Sequence, residues 1–178
     1  MSQIILKDYL HLSTKEHKKL LKIRNKDYIR AVSLDKNIID FDNHMSFIEN
    51  LKNSDMFFLA VIFDDEIIGG INVFNLKSDT KWGVFFLEEA NIIIKSIVPL
   101  YFLEYIFKKY KKSEIFLDVK KKNINSISYD KNLGFEIYKE EDKIISMKIN
   151  YEKFKKAKDK PFLKRVVKQM KKYDLEIV

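Results

Sequence analysis

Asn-Ile-Asn-Ser-Ile-Ser-Tyr-Asp-Lys-Asn-Leu-Gly-Phe, residues 123–135, follows a short apolar run, Glu-Ile-Phe-Leu-Asp-Val, at 114–119. The run reads as a strand. Asn123 or Asn125 serves as a helix N-cap, because an Asn side chain accepts a hydrogen bond from an otherwise unpaired N–H of the first turn. Gly134 serves as the stop, because glycine takes the left-handed conformation without a Cβ penalty. The stretch is therefore strand, basic turn, a short helix over 125–132, and Leu-Gly-Phe.

Working outward from it, residues 98–110 read as a helix, and a final strand over 143–149 follows. Upstream, residues 3–9 alternate loosely as a first strand. Ser13 or Thr14 caps a helix with Leu20, Leu21 and Ile23 on one side, and Arg24-Asn25 falls near its end. Residues 26–40 are polar. Residues 40–53 form a second helix on the apolar face Phe41, Met45, Phe47, Ile48 and Leu51. Residues 56–63 and 67–74 form a hairpin across Asp64-Asp65-Glu66, and 81–87 pairs next to it. The expected order is β-α-α-β-β-β-α-β-α-β: antiparallel strands, then a β-α-β crossover. Residues 1–150 make this unit. The basic remainder, 151–178, carries a partial stripe (Phe154, Leu163, Val166, Val167, Met170), and Pro161 starts a helix to about 173, packed back on the domain.

Composition narrows the function. At 178 residues, 46% hydrophobic and 13% aromatic, the chain buries a sizeable core. It has no cysteine, which excludes disulfides, thiolate metal sites and Cys nucleophiles. His11 and His17 do not share a helical face, and the acids form no ligand cluster, so no metal is expected. The N-terminus lacks a secretory pattern, which makes the cytoplasm the expected location. The most apolar window, 90–107, contains Lys95, Pro99 and Glu104, so no stable membrane insertion is expected. The net charge of +8 rests on lysine, with arginine only at positions 24, 30 and 165. The lysines are dispersed, and no nucleic-acid-binding pattern appears.

The 123–135 stretch, in this element order, resembles the closing motif of the GNAT acyltransferase superfamily, Asn-x-x-Ala-Ile-x-x-Tyr-Glu-Lys-x-Gly-Phe. A second local match, Arg24-Asn25 followed by His44-x-x-Phe47-Ile48-x-x-Leu51, resembles the PseH-type N-acetyltransferases that act on UDP-linked amino sugars in flagellin glycosylation. The resemblance implies an α+β fold with a mixed central sheet, helices on both faces and, here, an extra C-terminal helix. It implies acetyl transfer from acetyl-CoA to the amine of a nucleotide sugar, and possible homodimers.

It also implies a site. In the family the fourth strand splays from the fifth and binds the pantetheine arm through freed backbone groups, which points to Phe86 and Leu87. A loop then cradles pyrophosphate at a helix N-terminus, which points to Ile94, Lys95 and Ser96, with Asn123 and Asn125 nearby. This loop, Ala90-Asn91-Ile92-Ile93-Ile94-Lys95-Ser96, has no glycine. Its isoleucines either face the donor or are core residues of a helix that begins near Ala90. In the closing motif Asp130 stands where the family has Tyr, and Tyr129 is one residue earlier, rotated by about 100°. Tyr129, Asp130 and Glu88 are the candidate proton-transfer groups. Arg24, Asn25, Arg30, His44 and Trp82 are the candidate acceptor-binding residues. The altered loop leaves two alternatives: an acidic acyl carrier protein as the donor, or a non-catalytic binding module.

Overall fold

The computed structural model describes residues 2–178. Eight strands form one mixed sheet in the order β6-β7-β5-β4-β3-β2-β1-β8. They are β1 (Ser2–Asp8), β2 (Phe57–Phe63), β3 (Glu66–Phe74), β4 (Lys81–Phe86), β5 (Glu114–Lys120), β6 (Glu136–Glu140), β7 (Ile144–Asn150) and β8 (Tyr173–Ile177). The helices are α1 (Thr14–Arg24), α2 (Asp27–Val32), α3 (Phe41–Leu51), α4 (Ile92–Tyr110), α5 (Ile124–Leu133), α6 (Tyr151–Lys158) and α7 (Pro161–Met170).

Alternation along the strands divides the core in two, because successive side chains point to opposite faces. On β2, Leu59 and Val61 join the cluster built with α4–α7, while Ala60 and Ile62 join the cluster built with α1 and α3. Helices therefore cover both faces. The β2–β3 turn holds Asp64 and Asp65 at positive φ, a conformation that Asp tolerates better than most residues.

Local signals fix the helix ends. Ser13 and Glu16 form a reciprocal capping box on α1. Asp40 caps α3 and Asn123 caps α5, so of the two expected asparagines it is the first that acts. Gly134 ends α5 at φ 105°, with Pro161 in the first turn of α7.

Four elements escape the sequence pattern: α2, β6, α6 and β8. Helix α2 is one and a half turns of a mostly polar stretch, too short for a periodicity to register. Strand β6 is largely exposed. Strand β8 makes the C-terminal segment more than helical, since it pairs in parallel with β1 from Ser2↔Tyr173 to Leu6↔Ile177. Helix α4 begins at Ile92, earlier than the expected 98, because Asn91 caps it by accepting from the Ile93 N–H. Among the described residues no helix is long and apolar enough to cross a membrane, and no His, Cys, Asp and Glu cluster could hold a metal ion.

Candidate active site

Strands β4 and β5 are parallel neighbours that pair at one register alone, Lys81↔Phe116. The Phe116 N–H donates to the Thr80 carbonyl at 2.8 Å. Beyond that point the strands diverge, and the β4 edge from Gly83 onward has no strand partner on this side. The joined end is held by Lys81, whose Nζ lies 2.5 Å from Asp118, and by Ser146, whose hydroxyl donates to Asp118 at 2.6 Å. Burial alone would raise the Asp118 pKa, but these two bonds outweigh it and hold the carboxyl below its usual range.

Three helices frame the open end. Helix α4 follows β4 and α5 follows β5, so both start there on one face. On the other face α2 reaches the ends of both strands. Tyr28 accepts from the Glu88 N–H at 3.0 Å, and Lys120 Nζ donates to the Ala31 carbonyl at 3.2 Å.

On the donor side, the predicted pyrophosphate loop is the first turn of α4. Ile94 is fully buried in the core, not at a ligand surface, while Ile92 is 72% exposed. Asn91 already occupies the Ile93 N–H, Lys95 Nζ donates to the Glu88 carbonyl at 2.6 Å, and the Ser96 hydroxyl donates to the Ile92 carbonyl. The Lys95 and Ser96 side chains are thus turned to their own backbone. The Leu87 N–H is likewise taken, by the Ile68 carbonyl at 2.8 Å, and its side chain packs in the second core cluster. Phe86 lies over Gly69, where a Cβ would stand 2.9 Å from its ring. Asn123 is used as the α5 cap, and Asn125 is exposed.

Tyr129 and Asp130 sit in different surroundings. The Tyr129 hydroxyl donates to the Ser96 carbonyl at 3.1 Å, and its ring packs edge-on against Phe162 of α7. Burial, followed by the charge of Asp130, pushes this phenol far above its usual pKa. Tyr129 therefore bridges α5 to α4 and α7. Asp130 is 6% exposed, and burial raises its carboxyl to about 7. It lies one turn before the buried Leu133, and α5 ends where Phe135 stacks on Trp82 of β4 at 5.8 Å. Asp130 and Leu133 thus form the buried side of α5. Asp130, a candidate proton-transfer group in the sequence, is thus kept partly protonated near neutral pH by its burial.

On the acceptor side, several predicted residues turn out to hold the scaffold. Asn25 pairs with the backbone of Ile39 through both ends of its amide. Arg30 donates to the carbonyls of Asn25 and Lys36 and to Asp27. Both residues thus pin the segment between α1 and α3. His44 is buried, with Nε2 3.0 Å from His17 Nδ1, so that nitrogen faces a second histidine. Trp82 points into the other face of the sheet and stacks on Phe135, which rules out stacking on an acceptor base. Glu88 and Glu89 are exposed at the open end.

Arg24 differs: Nη2 donates to the Asp35 carbonyl at 3.4 Å, while Nη1 is buried without a partner. Its charge acts on the buried Tyr9, whose hydroxyl lies over Gly70. Asn72, two residues along β3, also has a buried and unpaired amide nitrogen. Tyr9 and Asn72 escaped the sequence reading. The one available signal was a lone Asn within the apolar run 67–73. A shallow concavity of about 530 Å³ on the outer face of α1, lined by Lys15, Lys18, Lys19 and Lys22 with Thr14, lies apart from the splay.

The fold is that of the GNAT N-acetyltransferases: a mixed sheet whose fourth and fifth strands part over a helix-lined gap. Among solved structures, the Campylobacter jejuni N-acetyltransferase PseH in complex with acetyl coenzyme A matches with a TM-score of 0.69 at 22% identity, covering 83% of this chain and 99% of that one. FdhC, a nucleotide-linked sugar GNAT, matches with a TM-score of 0.72 at 18% identity, covering 88% and 90%. The spermidine N-acetyltransferase from Vibrio cholerae, in complex with CoA and spermine, matches with a TM-score of 0.74 at 14% identity, covering 86% and 97%. No protein-family model and no curated protein sequence matches the chain.

Proposed function

We propose that this protein is an N-acyltransferase that moves an acetyl group from acetyl-CoA to the amine of a nucleotide-linked amino sugar. The observation that carries the reading is the splay itself, a gap beside an unpaired strand edge, with α5 and its buried Asp130 following the strand that borders it. An extended pantetheine arm fits such an edge much as a missing strand would. The acceptor's neutral amine attacks the thioester carbonyl carbon, the C–S bond breaks, and the thiolate takes a proton. Asp130, with a pKa near 7, is partly protonated at neutral pH and supplies that proton. The amine's own surplus proton leaves to water, with Glu88 at the open end as the candidate base. Arg24, which has a donor to spare, receives the acceptor's diphosphate.

Incubation with acetyl-CoA and an amine panel, read by mass spectrometry, tests this. The panel contains a UDP-linked amino sugar, the amino sugar alone and spermidine. The expected result is acetylation of the UDP-linked compound above the other two. Preference for spermidine, or no acylated product, overturns the acceptor assignment.

One observation favours a second donor. The α4 N-terminus is capped by its own Asn91 and carries the exposed Ile92 where the family has glycines, which suits a thioester delivered on an acyl carrier protein. That variant predicts salt-sensitive transfer from the carrier. Equal rates from free acetyl-CoA sink it.

A further inference from the structure

We propose that Asn72 binds the acceptor, donating its amide N–H to an uncharged oxygen of the sugar in a notch left open by Gly83. The inference rests on the acyl-transfer reading and adds to it a binding residue and an orientation.

Asn72 is 8% exposed, and its Nδ2 is buried without a hydrogen-bond partner. Folding normally removes such groups, because an unpaired buried donor loses its water without replacement. A polar residue inside the apolar run of β3 is therefore retained against the demands of packing. Its cross-strand partner is Gly83 of β4, the strand that borders the splay. Gly83 is partly exposed, and its φ lies outside the left-handed region, so backbone conformation does not require glycine. A Cβ there would stand 3.4 Å from Oδ1 and 3.6 Å from Nδ2, in ordinary contact. What the glycine leaves is a gap of about a side chain's Cβ beside the amide, the nearest atoms within 4 Å being those of Asn72.

Of the two further unpaired buried donors among the described residues, Trp82 Nε1 lies with the opposite cluster and Arg24 Nη1 on this side. Gly70 lies two residues from Asn72, and its missing side chain is replaced by the Tyr9 hydroxyl and the Phe85 ring, each 2.7 Å from where a Cβ would be. Tyr9 in turn feels the charge of Arg24, whose Nη1 is unpaired. Donors thus line one side of the sheet from Asn72 beside the splay to Arg24 at the end of α1. A ligand matching this strip is oxygen-rich: anionic oxygens at Arg24, and a neutral hydroxyl or carbonyl oxygen at Asn72. The sugar therefore lies inward, its amine toward the gap, and the phosphates lie outward.

The test uses the full chain, a UDP-linked amino sugar as probe, and two variants, Asn72→Val and Gly83→Ala. The expected result is a KM for the sugar raised at least tenfold in both, with kcat within about threefold. The melting temperature of Asn72→Val should rise by a few degrees, because the orphan amide is gone. In the wild type, the Asn72 side-chain amide signal in a ¹⁵N spectrum should move when the probe is added without acetyl-CoA. An unchanged KM in both variants, or an amide signal that ignores the probe, overturns the proposal. A lower melting temperature with unchanged KM assigns Asn72 to the scaffold. Failure of the transfer reading looks different: no acylated product forms with the wild type, while the amide signal still reports whether the sugar binds.

Discussion

The Tyr129 hydroxyl donates to the Ser96 carbonyl at 3.1 Å and so joins α5 to the second turn of α4. One residue on, about 100° around the helix, Asp130 is buried. Tyr129 is held in packing, and under the proposed function Asp130 is the proton donor.

Tyr129→Phe should accordingly keep its activity. Loss of the hydroxyl bond costs about 1 kcal/mol of stability, read by urea denaturation, and kcat changes less than about threefold. A kcat loss of two orders of magnitude would return the acid's role to Tyr129.

Asp130→Asn should lower kcat by about 10²–10⁴-fold, the usual contribution of a positioned acid. It should also remove the fall in activity as pH rises through about 7. Stability changes in a defined direction. The carboxyl's ordinary value is 3.8 and its folded value about 7. Between them the folded protein holds a proton that the unfolded chain has released, so stability declines as pH rises from about 4 to about 7. Asp130→Asn abolishes that decline and gains on the order of 4 kcal/mol at most at pH 8. Denaturation at pH 5 and pH 8 measures it, and parallel curves for variant and wild type would exclude the burial effect.

The His17–His44 pair has the opposite slope. Burial first, then the facing His17, depresses His44 from 6.5 to about 4. As pH falls between these values the unfolded chain gains protons that the folded one refuses, so stability drops with acidification. His44→Phe should narrow the difference in Tm between pH 7 and pH 4.5. An unaltered difference would show that the pair does not govern acid sensitivity.

Gly69→Ala places a Cβ 2.2 Å from the Phe85 carbonyl oxygen, a backbone atom that cannot rotate away. The expected cost is about 1–3 kcal/mol or more, with partial loss of the β3–β4 register seen as faster amide exchange in Phe85 and Phe86. A neutral outcome would mean that these strands can separate freely.

The sheet frame was legible because its signals are local. Alternation marked β1 and β7, apolar β-prone runs marked β2–β5, and Asn123 and Gly134 bracketed α5 by cap chemistry alone. The site was less so. His44 gave no sign that it would meet His17, 27 positions away. Asn25 and Arg30 have residue types suited to a ligand, yet the fold uses them to pin a loop, and only coordinates distinguish the two uses. Asp130 stood out by its position in the 123–135 stretch, but its burial is set by tertiary packing. Asn72 is visible as a polar interruption in β3, but its lack of a partner is a three-dimensional fact.

The pairing of β8 with β1 also bears on how the chain assembles. About 170 residues separate Ser2 from Tyr173, so this ladder is among the most non-local in the molecule, and such contacts form slowly because a long loop must close first. During synthesis β1 emerges before the strands it pairs with, with Ile4 and Leu6 unprotected, and its outer edge must wait for residues 173–177. An open edge of this kind recruits other strands. Nascent or truncated chains lacking residues 173–177 should therefore aggregate through β1, so the last strand protects solubility during folding as well as completing the sheet.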